Sequence, residues 1–590
     1  MQRFLVTTAI PETWAKDRPL LLLGDWCLAY GKNNVSKGYN YKIAPYPWDD
    51  RKKLEGEIRR VNLLYESILT DLSSKLNSIH GVAYSLKFWR ILVGPWLGVF
   101  LLLLSDRWGC IESALASNEI SGSFVLDGGE ELVPNDMADF SVKFSTDRWN
   151  HAIFADMLPY LSSAPLMRSH DVFDSKWSLG NYNGDGGQTL LGMMKKMVRK
   201  MLAKLASRDD VVMCNPYLSI LDELKTSIAL RQLPLFYRQA TRVCSSADIQ
   251  SREWSIANES QSSFERCARE LVVKHLPSNY LEGYEALVRA GELLRLPKTP
   301  RAIFTSNSFY SDEPFKAWAA KRVEDGVPLV IGQHGGNYGM GLWSWSEAHE
   351  LQIADLYLSW GWKKPGASNV KQLCKFKSVP KRNKISSRGR ILLVTVMIQR
   401  FGNTTLSMYS GPQWLRYLDD QFAFVGSLPN SIRDRVTVRL SKPDYGWNQM
   451  ERWQDRFPDL DLDDGSKRLE KLVEDTSLYI GTYNATTYLD AMSANIPTVI
   501  FWNPDFMEMN PSARADFGIL EDVGVFHATP KSAAQHVIRT ANDSNSWWTD
   551  TKTQLAVQNF LDTYARKASS VSREVATALR DVALPRRGMG

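Results

Sequence analysis

PLVIGQHGGNYGMGLWSWSEAHELQIADLYLSWGW, residues 328–362, is the stretch on which the reading of the fold turns. It opens with an apolar run, 328–331, of the kind that forms a buried parallel strand. It then breaks into a loop holding Gly332, Gly335, Gly336 and Gly339 around one histidine, His334. Open α/β sheets bind ligands in the crevice beyond the carboxyl ends of their strands, and paired glycines let a backbone come close to a ligand or take up φ > 0. Glu347, His349 and Glu350 follow, then a second apolar run, 355–359, closed by Trp360, Gly361 and Trp362. A chemical site and a tight turn with a hydrogen-bonded structural histidine are both consistent with so short a motif.

Outward from this stretch the chain alternates short apolar runs with helical ones. Towards the N-terminus, 20–23 ends in Gly24-Asp25-Trp26 and 123–126 ends in Asp127-Gly128-Gly129; 211–214 and 302–305 supply further strands, and 54–76 has the pattern of an amphipathic helix. Such alternation predicts a doubly wound, mainly parallel sheet, so residues 1–375 are expected to form one Rossmann-like domain with helical insertions. One insertion, LLGMMKKMVRKMLAKLA at 190–206, sets five cations around a Met/Leu face. That pattern suits either a surface helix with its apolar side in the core or a peripheral contact with an anionic membrane leaflet.

Residues 376–390 are polar and basic and read as a linker. A second α/β series occupies 391–550, with strands at 391–397, 436–440, 478–480 and 498–501 and a helix at 413–425; the acidic run 459–465 reads as a solvated loop. Residues 551–590 are left for a C-terminal helix, 552–579, that packs across the domains, and a loose tail.

Composition sets the class. The 590 residues are enough for three to four domains at roughly 150 each, or for two large ones with insertions. A net charge of +6 suits anionic substrates or an anionic surface and falls short of a nucleic-acid binder's footprint. Twenty tryptophans are platforms for sugars or bases, or core residues. The six cysteines are scattered with no CxxC, as in free thiols of a reducing compartment, and they offer no zinc site. The first residues lack the pattern of a signal peptide, and the longest apolar run, 91–104, is shorter than the roughly 20 residues a spanning helix needs. The expectation is a cytoplasmic protein, with 190–206 as its one candidate for contact with the inner membrane.

The second chemical signal is LYIGTYNATTYLDAMSANIPTVIFWNP, residues 478–504. A strand ends at Gly481, a small polar loop carries Thr482 and Asn484, and a helix begins near Ala485 with Thr486 and Thr487 in its first turn. The unpaired N–H groups and positive dipole end of such a helix make an anion site, phosphate being the natural guest; the threonines can also simply cap the helix.

This passage is similar to the donor-nucleotide half of GT-B glycosyltransferases, whose two Rossmann-like domains face a cleft. With LLLLGDWCLAY, YPWDDRKK, GQHGGNYG, SEAHELQIADLYLSWGW and KPDYGW, the chain resembles a family of bacterial transferases from surface-polysaccharide loci. The QHG loop and the phosphate helix are remotely similar to lipopolysaccharide and capsule transferases that use CMP-activated ulosonic acids such as Kdo, although the full motif set of those enzymes is absent. The resemblance implies a glycosyltransferase with a CMP-linked Kdo-like or nonulosonic donor, a glycan or lipid-linked glycan acceptor, and no metal. A UDP- or GDP-sugar transferase, a CDP-polyol transferase and a non-enzymatic glycan-binding partner remain open alternatives.

Under the favoured reading His334 serves as general acid or phosphate stabiliser, and Glu347, Glu350, Asp25 and Asp127 are the candidate bases. Gly335, Gly336, Thr482, Asn484, Thr486 and Thr487 hold the phosphate, and Arg439, Lys442 and Arg400 meet the donor's anions.

Overall fold

The computed structural model describes residues 2–31, 36–126, 128–168, 209–237, 239–256, 262–377, 379, 389–402 and 404–583. The basic stretch 190–206 and Asp127 lie outside the described residues, as does most of the linker. The chain is α/β throughout, and each paired strand is parallel to its neighbours.

The alternating series before residue 375 builds two sheets instead of the expected one. The first contains β1 (Arg3–Val6), β2 (Leu20–Leu22), β3 (Tyr41–Ile43), β4 (Ile120–Val125) and β5 (Leu166–Arg168) in the order β3-β2-β1-β4-β5. The second takes β6 (Val212–Cys214), β7 (Ile303–Thr305), β8 (Leu329–Gly332), β9 (Leu356–Ser359) and β10 (Val370–Gln372) in simple sequence order. Among the described residues neither β5 nor β6 pairs with a strand of the other sheet.

The third sheet runs β13-β12-β11-β14-β15-β16, from β11 (Arg390–Val394), β12 (Val436–Arg439), β13 (Asp461–Asp463), β14 (Thr476–Gly481), β15 (Thr498–Phe501) and β16 (Phe526–His527). This is the doubly wound order, with its topological switch between β11 and β14, where such sheets take ligands. β8, β14 and β15 are buried at every residue, as strands covered on both faces must be. The acidic run at 459–465 is not a solvated loop. Its centre is edge strand β13, whose Asp463 is 2% exposed and accepts from Arg439 Nη1 at 2.9 Å.

The expected C-terminal helix is two helices. Thr551–Tyr564 packs on Thr486–Ser493 and Pro511–Asp522 of the third unit, and Val571–Ala583 packs on Ile220–Ala229 of the second. The apolar run 91–104 falls mainly within the helix Gly94–Ser117, where Leu97, Phe100, Leu101, Leu103 and Leu104 have no exposed surface. Among the described residues no single helix is long and apolar enough to cross a membrane.

Backbone pairing and one glycine fasten the second unit to its neighbours. Residues 340–345 thread between two segments of the third unit: Leu342 N donates to Glu508 O (3.0 Å) and Asn510 N to Met340 O (2.9 Å) on one side, and Trp345 N to Thr405 O (2.8 Å) on the other. Gly98, in the long apolar helix, has to be bare because the Trp345 indole lies 1.7 Å from where its Cβ would start.

A buried charged cluster joins the first unit to the third. Asp106 and Arg107, with side chains 1% exposed, pair at 2.9 Å. Asp106 also accepts from Tyr46 OH (2.8 Å) and Trp48 Nε1 (2.9 Å), and Arg107 reaches Gly402 O of the third unit and Asn150 Oδ1 (2.7 Å). Removing one member leaves the other charge buried and unmatched, which costs about 3–5 kcal/mol. Arg107→Met is therefore expected to lower the chemical-denaturation midpoint by that order, and a midpoint within 1 kcal/mol of wild type would show the cluster to be dispensable.

Candidate active site

The loop after β8 is set by Gln333, a buried residue whose role the sequence did not announce. Its Oε1 accepts from Trp360 N (2.7 Å) and Trp362 Nε1 (2.8 Å) beyond β9, while its Nε2 donates to Gly335 O (2.7 Å). The turn is thus locked to the next strand, and His334 is left pointing into a pocket of rings: Tyr338 at 5.4 Å, Tyr217 at 5.9 Å and Phe309 at 6.2 Å between centroids. About a quarter of its side chain, 26%, is exposed.

Burial lowers the His334 pKa to about 4, and only a hydrogen bond with the Ser306 backbone opposes the shift. At neutral pH the ring is therefore uncharged. An uncharged ring can accept a proton or donate an N–H hydrogen bond. Behind it lies Glu350, with no exposed surface, its Oε1 3.7 Å from His334 Nδ1 and accepting from Tyr338 OH at 2.5 Å. Burial pushes this carboxyl well above the ordinary range. Glu350 thus stands behind the histidine, held by Tyr338, with no surface of its own open to the pocket.

Facing this loop is the end of β14. The helix Thr486–Ser493 begins after Ala485, which is extended at φ −154° and offers no side-chain cap. Its first N–H groups therefore lack the usual partner. Thr486 and Thr487 are half-buried in the first turn, inside the helix and not at the capping position. Asn484, also half-buried, accepts from Tyr488 OH at 3.0 Å.

The two features touch: a Cβ on Gly336 would lie 2.6 Å from the Thr486 N and Cα and from the Ala485 carbonyl carbon. Residues 150 positions apart are brought into backbone contact, and only glycine permits it.

Other expected site residues are engaged elsewhere. Thr482 is fully buried, its Oγ1 donating to Val394 O (2.7 Å) and lying 2.5 Å from Tyr417 OH, so it closes the sheet and cannot reach a ligand. Glu347 accepts from Gly339 N (2.8 Å) and Lys364 Nζ (2.6 Å), which makes it a brace on the far end of the histidine loop. Arg400 pairs with Asp147 and donates to Trp26 O (3.3 Å), at the seam between the first and third units. Asp25 stands at that seam too, where burial raises its pKa in the field of Arg416, Asp49 and Arg452. Arg439 is held by Asp463 and Lys467 O, near Tyr479 and Tyr483, whose pKa values burial raises, and Lys442 is exposed.

A polar cavity of about 470 Å³ at the ends of β6 and β7 escaped the sequence reading. Its rim includes Tyr217 beside His334, and its walls include Asn215, Lys377 and Asp312, the last accepting from Tyr237 OH at 2.9 Å and pushed up to about 6 by burial. Asn215 and Tyr217 have φ of 45° and 60°, a costly conformation that clusters at ligand sites. The only signal in the sequence was the Asn-Pro-Tyr at the end of a short apolar run.

The sequence pattern of the LIC12162 family transferases matches residues 3–579, and the chain belongs to that family. No curated protein matches it. Solved structures similar to it include MurG of Acinetobacter baumannii, at 13% identity and a TM-score of 0.31 over 51% of this chain and 78% of that one. The spinosyn rhamnosyltransferase SpnG with spinosyn aglycone is another, at 17% identity and a TM-score of 0.26 over 51% and 80%.

His349, which follows the glycine loop in the sequence, is a core residue. It is 2% exposed, packed between Trp345 and Phe309, and neither ring nitrogen has a hydrogen-bond partner. Burial lowers its pKa to about 3 from an ordinary 6.5. Between those values the unfolded chain binds a proton that the folded one refuses, so this residue withdraws stability as the pH falls. His349→Phe is expected to gain stability relative to wild type between pH 7 and pH 5, and a constant difference in denaturation midpoint would contradict that assignment.

Proposed function

We propose that this LIC12162-family transferase is a metal-independent glycosyltransferase that moves a CMP-activated ulosonic acid, Kdo-like or of the pseudaminic or legionaminic type, onto a glycan acceptor of bacterial lipopolysaccharide O-antigen or capsule. The observation that carries the reading is the contact of Gly336 with the uncapped start of the helix Thr486–Ser493. It supports a single site in which a neutral histidine works beside a helix terminus that binds the donor phosphate.

In this mechanism the donor phosphate sits on the Thr486 and Thr487 N–H groups, with the threonine hydroxyls beside them. His334 takes the proton of the acceptor hydroxyl as that oxygen bonds to the anomeric carbon. The bond from anomeric carbon to phosphate oxygen breaks, CMP leaves, and the charge growing on its phosphate meets the helix terminus. Lys442, exposed just past the end of β12, is the cation for the donor carboxylate, and the polar cavity beside Tyr217 receives sugar hydroxyls. Cytoplasmic CMP-sugar and a lipid-linked acceptor place the reaction at the inner face of the inner membrane.

Two experiments test this. CMP without magnesium is expected to stabilise the protein more than UMP or GMP, by roughly 2.7 kcal/mol at 100 times its dissociation constant. A strict need for magnesium, or preference for a purine nucleotide, would remove the donor class.

For His334, kcat/KM should stay level above pH 5 and fall on the acid side as the ring protonates near its pKa of about 4. His334→Ala should lose about 10² to 10⁴-fold in rate with its fold retained. A folded variant with near wild-type turnover would leave the loop an architectural feature.

A further inference from the structure

We infer that the cavity of about 600 Å³ where all three α/β units meet is a second saccharide site, separate from the His334 pocket. Its walls carry Asn62 from the first unit, Trp343 and Lys364 from the second, and Ser512 and Asp516 from the third. Pockets of about 300–1,000 Å³ at unit boundaries, mainly apolar with a few convergent polar groups, are where small ligands bind.

The chemistry selects the class. Trp343 is half-buried and supplies a flat apolar face for sugar C–H groups, its ring held by Nε1 donating to Thr404 O at 3.2 Å. Two carboxylates on the wall are already oriented to accept from hydroxyls: Glu347 by Lys364 at 2.6 Å and Asp516 by Tyr564 OH at 2.8 Å. The cavity wall carries two lysines, Lys363 and Lys364, and those two acids, so its formal charges cancel and it does not select a nucleotide or free phosphate by charge. Its carboxylates and amides equally disfavour a lipid chain. A neutral saccharide satisfies both surfaces.

The cavity also touches the machinery of the reaction loop. Glu347 holds Gly339 N, at the end of the His334 loop, with the oxygen that does not face Lys364. A sugar engaging that carboxylate is therefore one hydrogen bond from the loop.

The test uses the full chain and a panel of neutral sugars (glucose, galactose, N-acetylglucosamine and maltotriose), read by tryptophan fluorescence and saturation-transfer NMR. At least one is expected to bind, with inorganic phosphate silent. Ser512→Trp, at an exposed first-turn position, fills the cavity and should weaken binding at least tenfold, as should Asn62→Ala, while the thermal shift with CMP is unchanged in both. Silence from the whole panel, or undiminished binding in Ser512→Trp, overturns the proposal. Loss of the CMP response in wild type would count against the donor reading alone.

Discussion

A missing side chain sets the geometry of this molecule. At Gly336 the second unit comes within backbone contact of the third, and the point it touches is the start of a helix with no cap of its own. A methyl group there would have to displace the Thr486 backbone itself, so the approach is an all-or-none property of one position. Gln333 then makes the approach reproducible, because its three hydrogen bonds tie the loop to the end of the neighbouring strand. A strand terminus rigid on one side meets unpaired N–H groups on the other, and the dipole of the helix selects what can lie between them.

The electrostatics of the histidine loop follow from the same packing. Aromatic rings around His334 withhold the water that would stabilise its charge, and the acid behind it is buried so deeply that it keeps its proton. Two groups that would form an ion pair at a surface are here both neutral. The same burial thus acts on both groups in opposite directions, lowering the pKa of the base and raising that of the acid.

The α/β class, most of the strands near the site, the glycine loop and the uncapped helix were legible in the sequence, because buried parallel strands and glycine turns leave local signatures. The division of the first 375 residues was not. Strand pairing is a non-local choice, and β5 and β6 carry no local mark that they belong to different sheets. The partners of Glu347 and Thr482 were hidden for a related reason. A carboxylate or hydroxyl near a motif looks available until its partners, Gly339 N and Lys364 for one and Val394 O for the other, are known. The acidic run at 459–465 shows the converse, since Arg439 turns an aspartate that reads as solvated into a buried strand residue.

The helix Val571–Ala583 lies against strands made some 200 to 370 residues earlier. Val575, Ala576 and Leu579 complete one face of the second sheet, in a cluster with Val211, Phe304, Val330 and Leu358. During synthesis that face has no cover until residue 579 has left the ribosome, although all five strands of the sheet have long since emerged. The first unit can close as it is made, and the third soon after its last strand. The second, which carries the histidine, must wait for the final helix, so a nascent chain holds its unfinished core open for more than 200 residues of translation.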